Sequence, residues 1–329
     1  MKNFEEFYNE LQNGDNGELE VTWQLAKKED KKIKKVSIII CAIIDILYVF
    51  MILRNGIISS MLFAIFPTIM FVLLINVFVV AIVNIIVGKN KFEYNKQFKK
   101  IVINKLMSNF YNELKYFPNE PMPGRIYRSL GYEYYNRYKS DDYFEALIDN
   151  KYSIQMAEVL TQEQETHTDS EGHTHTTTTT KFHGLFAKIV LDKSINSELR
   201  IMQNGTLFFS NKLKMDSKEF EKYFDVKATN PIIGMQLLTA DVMEELIEFE
   251  NNTKMKFDIV IRGEELYLRF HSGAMFEAGK FKNGALDEKI IQKYFDILNF
   301  TYNLSHKIIN LINETQVWNV NGDGSLWHK

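Results

Sequence analysis

Three histidines lie close together in the segment 166–180, which reads THTDSEGHTHTTTTT. Neutral imidazoles at such spacing can bind zinc, copper or nickel, so His167, His173 and His175 are candidate metal ligands. The polar composition indicates a hairpin tip, where the register of the two strands decides whether the rings converge. A three-residue turn would place His167 opposite His175, whereas a turn one residue shorter or longer would send His167 to the other face.

The same segment has a second interpretation that needs no ligand. Threonine is its commonest residue, and serine, glycine and acidic residues occupy the centre of the presumed turn. Such a composition is typical of a solvated hairpin tip. The sequence therefore leaves two alternatives open, a zinc or other transition-metal site and a solvated tip, and it predicts no further cofactor.

A second candidate site combines basic and aromatic residues between positions 125 and 139. Five tyrosines alternate there with the cations Arg125, Arg128, Arg137 and Lys139. Near a membrane such cations attract anionic lipid headgroups, and beside aromatic rings they can also bind single-stranded nucleic acid. The third alternative is a half-buried segment with tyrosine hydroxyls at its rim. The net charge of −3 argues against a general nucleic-acid binder.

No catalytic signature accompanies these segments. The sequence contains no phosphate-binding loop, no G-x-S-x-G, no H-E-x-x-H, no paired C-x-x-C and no G-x-G-x-x-G. Neighbouring acids such as Asp141 with Asp142, or Glu244 with Glu245, are common on solvated faces and do not identify a general acid and a general base. The sequence therefore favours a protein that is not an enzyme.

Two long apolar runs dominate the first third of the chain. They cover residues 36–53 and 57–87, and lysines bracket them on both outer sides. Only Arg54, Asn55 and Gly56 separate the two runs. A helix that crosses a hydrocarbon core takes about 20 apolar residues, so the runs predict a two-helix transmembrane hairpin.

The distribution of lysines predicts the orientation of this hairpin. Six lysines lie between positions 27 and 35 and five between 89 and 100, whereas the connector offers only Arg54. Basic residues near span ends stay on the cytoplasmic side, so both termini are predicted to be cytoplasmic.

Abundant Ile, Lys and Asn suggest a bacterial genome rich in AT, and a single cysteine, Cys41, agrees with a reducing compartment. The predicted location is the bacterial cytoplasmic membrane.

One acidic residue lies inside the first run. Asp45 is nine residues past Val36, and Asn76 is eleven residues before Val87, so an antiparallel hairpin brings the two to similar depth. A lone ionised carboxylate in hydrocarbon is costly and needs a partner. We therefore expect an interhelical hydrogen bond between Asp45 and Asn76. The alternative is a proton or ion relay, which one carboxylate on a two-helix hairpin supports poorly.

Helical and strand patterns follow the hairpin. Apolar positions at helical spacing over 88–117 predict a juxtamembrane helix, which three prolines end at 118–124. Alternating apolar residues then predict a long hairpin before the buried strand 184–191 and a second hairpin that turns at Gly263. The apolar seam after Asp287 predicts a long helix that either forms a coiled coil or covers the sheet. These patterns predict an α+β fold with an antiparallel sheet.

The predicted organisation has five parts. An N-terminal cytoplasmic helical segment is followed by the transmembrane hairpin, the juxtamembrane helix, a cytoplasmic α+β domain and a flexible C-terminal tail. Their limits are 1–35, 36–87, 88–117, 118–315 and 316–329. Most of the chain is thus expected to fold in the cytoplasm.

Four stretches after the hairpin resemble a known family. They are 143–158 (YFEALIDNKYSIQMAE), 182–186 (FHGLF), 219–226 (EFEKYFDV) and 237–246 (LLTADVMEEL). These stretches are similar to the bacterial membrane family that carries the domain of unknown function 3137. The resemblance implies a match over roughly residues 90–310, preceded by a helical hairpin. It implies no catalytic residues, because the shared positions are apolar and acidic framework residues.

The sequence as a whole predicts a membrane-anchored cytoplasmic module that binds a protein partner or its own copies. One alternative is a membrane-tethered enzyme that acts on lipid or another substrate, and another is a metal-responsive module that uses the histidine hairpin. A pocket with convergent polar groups of perturbed ionisation would favour the enzyme, whereas a broad apolar patch would favour binding.

Overall fold

The computed structural model describes residues 1–54, 65–87, 89–168, 172–204 and 212–314. Within these ranges the chain forms helices α1 to α10 and strands β1 to β6, with a π-helical turn after α4 and a 3-10 turn before α10. In chain order the elements are α1 (Phe4–Asn13), α2 (Gly17–Arg54), α3 (Ile65–Val87), α4 (Lys89–Phe98), α5 (Asn104–Phe110), β1 (Asn112–Phe117), α6 (Gly124–Arg128), β2 (Arg137–Ile148), β3 (Tyr152–Thr168), β4 (Thr174–Gln203), α7 (Phe220–Tyr223), β5 (Phe224–Ala228), α8 (Pro231–Leu237), α9 (Ala240–Thr253), β6 (Phe257–Phe270) and α10 (Glu288–Glu314).

Close contacts divide the chain into two units. The helical unit comprises Glu5–Ile103 and Glu277–Ile291, and the sheet unit comprises Met1–Phe4, Asn104–Phe276 and Gln292–Lys329. In this division a segment late in the chain, Glu277–Ile291, groups with the first helices, and we call it the returning segment. The two ends of one hydrogen bond within the helical unit are 191 positions apart. Local sequence patterns carry no sign of such a contact.

In the helical unit, α1 and the first half of α2 bury apolar side chains together with α4. Polar contacts fix the returning segment to α4 and to the π-helical turn that follows it. The Tyr94 hydroxyl donates to the carbonyl of Ala285 at 2.9 Å, and the Lys99 ammonium lies 2.9 Å from the carboxylate of Glu277. The buried side chains of this unit include Phe7, Leu11, Leu19, Ala26, Tyr94 and Phe98.

The two predicted apolar runs lie largely on α2 and α3. Many of their apolar side chains are exposed, among them Ile38 at 70% and Phe78 at 67%. Residues 55–64, which belong to the predicted connector and second span, lie outside the described residues, as does the predicted tail 316–329. Over the part of the chain that the structure describes, no helix offers an apolar stretch long enough to cross a membrane.

The sheet unit is built on a six-stranded antiparallel sheet. Its strand order is β1-β2-β3-β4-β5, and β6 pairs with β4. Because β4 is 30 residues long, its middle part pairs with β3 on one side and β6 on the other, and its last part pairs with β5 and β6. The predicted α+β fold with an antiparallel sheet is thereby confirmed.

The two faces of this sheet have different covers. On one face α10 packs through Phe300, whose ring stacks on Phe249 of α9 with centroids 3.9 Å apart and lies 5.9 Å from the ring of Phe270. Successive side chains of a strand point to opposite faces, so Phe186 and Tyr267 belong to the other face. Their rings stack there within an aromatic cluster. The long C-terminal helix therefore covers the sheet, one of the two arrangements that its apolar seam allowed.

Two local predictions differ from the structure. The predicted helix over 88–117 ends at Phe110, and the chain then enters strand β1, which pairs with β2. The predicted second hairpin is a single strand, β6, because both halves pair with β4 although Gly263 has a φ of +59°. In both places pairing with a distant strand overrides the local pattern.

Gly184 allows β4 to approach the end of β6 closely. A Cβ atom at this position would lie 1.8 Å from the carbonyl oxygen of Phe270 and 2.8 Å from the backbone nitrogen of Ser272. We expect Gly184→Ala to push the two strands apart and to lower the free energy of unfolding by roughly 2–4 kcal/mol. Chemical denaturation of the purified protein measures this change.

Gly131→Asn is the matched control for this substitution. Gly131 has a φ of +59° and open space around it, and asparagine tolerates that backbone conformation. We expect the control to unfold close to the wild-type midpoint. If Gly184→Ala did the same, the close approach of β4 and β6 would be contradicted.

Candidate functional site

A row of polar side chains crosses β2, β3 and β4. In the register of the sheet, Asp141 lies opposite Glu158, and His183 lies opposite Leu160, two residues further along the same strand. Diagonal neighbours on adjacent strands are within reach of long side chains. The register therefore brings Asp141, Glu158 and His183 together on one face.

Glu158 is held from two directions. Its Oε1 lies 2.8 Å from Nε2 of His183, and the backbone N–H of Met275 donates to its Oε2 at 2.7 Å. Burial is the largest influence and raises the pKa of Glu158 above its ordinary value. The two hydrogen bonds oppose this rise, and the charge of Asp141 adds to it. In the folded protein Glu158 thus takes up a proton more readily than an exposed glutamate does.

A bulge brings a third carboxylate to this row. The register between β2 and β3 shifts after Asp141, and Asp142 there has a φ of +50° and is fully buried. The hydroxyl of Tyr116 donates to Asp142. One oxygen each of Asp141, Asp142 and Glu158 lies within 4.8 Å of the other two, a spacing that would suit a hard cation. Asp142 and Glu158 already accept hydrogen bonds from the protein, so the arrangement does not require an ion.

A groove of about 530 Å³ opens beside these carboxylates. Asp141 and Glu158 line it together with Lys139 and the loop at 121–124. Its volume is within the range of small-ligand sites. Lys293 of α10 interacts with Glu158: burial lowers the pKa of Lys293, and the charge of Glu158 opposes that effect. The row therefore combines a groove with a carboxyl of raised pKa, and a lysine of lowered pKa interacts with that carboxyl.

On the opposite face of the sheet the guanidinium of a buried arginine pairs with two carboxylates. Arg269 is only 3% exposed, its Nε donates to Asp258 at 2.7 Å, and it also pairs with Glu133. Its guanidinium lies 3.8 Å from the ring centre of Tyr132. Burial is the largest influence and alone would raise the pKa of Asp258, but the effects of Arg269 and His271 together outweigh it and lower the pKa. We interpret this cluster as structural, because breaking such a buried pair leaves an uncompensated charge.

The histidine hairpin is an exposed arm of β3 and β4. His167 lies directly opposite His175, and His173 precedes the first residue of β4. Residues 169–171, which include part of the predicted turn, lie outside the described residues. Within the described ranges, no group of three ligand side chains at metal-binding distances includes these histidines. The transition-metal site stays a prediction.

The structure also brings Asp45 of α2 and Asn76 of α3 together. The side-chain Nδ2 of Asn76 donates to Oδ1 of Asp45 at 3.0 Å. Close by, Sγ of Cys41 lies 4.0 Å from the backbone carbonyl of Asn76. A polar contact therefore joins two helices whose other side chains in this region are mostly apolar.

The basic and aromatic segment divides into two parts. Tyr127, Tyr132 and Tyr135 are buried in the aromatic cluster on the face of the sheet that carries Tyr267. The four cations predicted to contact anionic lipid are exposed, namely Arg125, Arg128, Arg137 and Lys139. Their contact to lipid stays a prediction, whereas the tyrosines mainly serve the core.

Local sequence gives little sign of the row around Glu158. Asp141 and Asp142 resemble a solvated acidic pair, and His183 stands alone beside an apolar run. What joins them is the register of three strands, together with the bulge that turns Asp142 inward. Glu158 does fall in the alternating pattern of a strand, on the same face as Met156, and a polar residue at a core-facing position is the signal that could have identified it.

Comparison with known proteins confirms the family resemblance over part of the predicted range 90–310. Residues 180–309 match the sequence profile of the family described as "Protein of unknown function (DUF3137)". The matched range includes His183 but begins after Asp141 and Glu158. No curated protein matches the chain. Among solved structures, the chain is similar to the crystal structure of the mycobacterial trehalose monomycolate transport factor A, with a TM-score of 0.33 and 6% identity over 65% of this chain and 94% of that chain.

The raised pKa of Glu158 makes a prediction for stability against pH. Because this pKa is higher in the folded than in the unfolded protein, its stabilising contribution is present at low pH and is lost as pH rises through the folded pKa. We expect the free energy of unfolding of the wild type to fall relative to that of Glu158→Gln as pH rises from below 4.5. Denaturation of both proteins over a pH series measures the difference.

Glu264→Gln serves as the control, because Glu264 is exposed. It shows how much pH dependence follows from the loss of any surface carboxylate. A difference between wild type and Glu158→Gln that stayed constant over the whole pH series would contradict the raised pKa.

Proposed function

We propose that this chain is a membrane-anchored binding module. A two-pass helical hairpin holds it in the membrane with both termini in the cytoplasm, and the sheet unit presents the binding surfaces. The observation that carries this proposal is the exposed apolar surface of α2 and α3. Its members include Ile38, Ile43, Ile46, Leu47, Phe50, Leu73, Leu74, Val77 and Phe78.

Such a surface is unusual for a protein in water. Soluble monomers rarely expose a contiguous apolar patch of more than a few hundred Å². Insertion into hydrocarbon removes the apolar side chains from water and is favourable in proportion to their area. The lysines at 27–35 and 89–100 favour a cytoplasmic position for both outer ends. The hydrogen bond from Asn76 to Asp45 supports the same arrangement, because it gives the one acidic residue of the span a partner.

The sheet unit supports a binding role through its grooves. One groove lies beside Glu158, and a larger one of about 1100 Å³ runs between α9 and α10. Glu244, Glu248 and Asp296 are among the residues that line the larger groove. We propose a protein partner or a second copy of the chain as the bound species, with the exposed cations of the 125–139 segment available to anionic lipid.

A second candidate function is a membrane-tethered enzyme. The observation that favours it is Glu158, a carboxyl of raised pKa that lines a groove beside His183 and Lys293. A group of this kind can act as a general acid or base when its pKa is near the working pH. The pH series with Glu158→Gln tests the premise of this candidate, because a carboxyl without a raised pKa would not suit that role.

Cysteine labelling tests the proposed topology. Cys41 is the single cysteine, so Cys41→Ser gives a background in which one new thiol reports its own location. We expect Asn55→Cys in this background to react with a membrane-impermeant maleimide in intact cells, because the connector lies outside. Glu244→Cys, on the exposed side of α9, should react only after the cells are lysed.

The two labelling variants control for each other, since they differ only in the position of the thiol. Protection of Asn55→Cys in intact cells together with labelling after lysis would contradict an outward connector. Labelling of Glu244→Cys from outside would contradict a cytoplasmic sheet unit.

A further inference from the structure

The helical unit contains a groove of about 930 Å³ between α2, α4 and the returning segment. Its floor includes the buried side chains of Ala26, Ile33 and Tyr94. At its lip, Phe92 is 66% exposed. Six lysines line the groove, namely Lys27, Lys31, Lys34, Lys91, Lys280 and Lys282. The groove is therefore apolar at its base and cationic at its rim.

Three carboxylates also line the groove, and each is already engaged. Glu29 accepts hydrogen bonds from the backbone nitrogens of Asn90 and Lys91, at 2.9 and 3.2 Å, where α4 begins. Asp30 pairs with Lys34 at 2.6 Å. Glu277 pairs with Lys99 of the same unit at 2.9 Å. The acids of the groove thus serve contacts within the unit.

Lys34 pairs with Asp30 and Lys27 lies over the ring of Trp23, whereas the other four rim lysines have no such partner. Among the described residues, no carboxylate lies within ion-pairing distance of the ammonium groups of Lys31, Lys91, Lys280 or Lys282. Unpaired cations around an apolar floor complement a molecule that has an anionic head and an apolar body. A small soluble anion would use the lysines but not the apolar floor or Phe92.

The groove is also close to the ends of the apolar helices. Lys31 and Lys34 precede Val36 by five and two residues, which is about 3–8 Å along the helix at 1.5 Å per residue. Lys91 follows Val87 by four residues in the sequence. If the hairpin is inserted as proposed, these ammonium groups lie at the level of the lipid headgroups.

We propose that this groove binds one anionic phospholipid from the cytoplasmic leaflet. The phosphate contacts the unpaired lysines, and the upper part of an acyl chain lies against Phe92 and the apolar floor. This inference rests on the proposed membrane anchorage and deepens it, because it assigns a specific ligand class to the membrane-facing end of the helical unit.

Flanking charge alone does not account for the groove. Lysines that only set the orientation of a span need to lie beside it in sequence. Lys280 and Lys282 come from the returning segment, almost 200 positions after the second apolar run, and yet they line the same groove. Their position in the groove therefore indicates a specific binding site, which a general attraction between lysines and anionic membranes would not require.

The test measures binding of phosphatidylglycerol and phosphatidylcholine to the full chain in detergent micelles by native mass spectrometry. We expect one phosphatidylglycerol to bind in preference to phosphatidylcholine. The double variant Lys280→Gln with Lys282→Gln should weaken its binding by roughly tenfold to thirtyfold, since each lysine near an anionic surface contributes measurably. Phe92→Ala should weaken binding of the lipid as well, whereas competition by inorganic phosphate should be slight.

The matched control is Lys28→Gln with Lys32→Gln, which removes the same charge from exposed lysines of α2 that do not line the groove. We expect this control to bind as the wild type does. Equal weakening by both double variants, equal binding of the two lipids, or full displacement by inorganic phosphate would each overturn the proposal. Because the measurement needs no intact membrane, its failure is distinguishable from failure of the topology in the labelling experiment.

Discussion

The apolar side chains that α2 and α3 turn outward are poorly solvated by water. The free-energy cost of leaving them exposed is the main constraint on the environment of this chain. Ile38 and Phe78 are typical of a surface that a bilayer or another apolar partner must cover. The polar contact between Asp45 and Asn76 is directed between the helices, so the outer surface stays apolar. The lysines begin where the apolar side chains end, which gives the helical unit one apolar end and one charged end.

The sheet unit meets a different requirement, because two charged groups that it shields from water, Arg269 and Glu158, need partners. Arg269 lies between Asp258 and Glu133 on one face, and Glu158 lies between the N–H of Met275 and His183 on the other. Strand β4 makes both arrangements possible, because it pairs with β3 and β6 at once. The charge of Glu158 is less well compensated than that of Arg269, since burial raises the pKa of Glu158 and a groove opens beside it. A binding surface or a reactive group would arise more readily there than at the fully paired Arg269.

Sequence patterns predict this fold where neighbours in the chain decide the structure. Thr239 caps α9 by accepting from the N–H of Val242, as its position before an apolar periodic run indicates. Prediction fails where distant segments decide: β1 forms in place of a helix because it pairs with β2, and β6 continues through Gly263 because β4 holds both halves. Sequence patterns do not predict the Glu158 row or the groove lined by six lysines for the same reason, since the members of each site come from separate elements. The positions of the lysines in the sequence predict only the topology of the hairpin. The groove with six lysines forms because the returning segment folds beside α2 and α4.

The most direct test of the central claim is extraction of membranes from cells that express the full chain. Anchorage by an inserted hairpin predicts that the protein stays with the membranes through washes in high salt and alkaline carbonate and is released by detergent, because apolar side chains rather than charges hold it. A chain from which residues 36–87 are deleted should leave the membrane fraction. Release of the full chain by carbonate or salt alone would contradict the account.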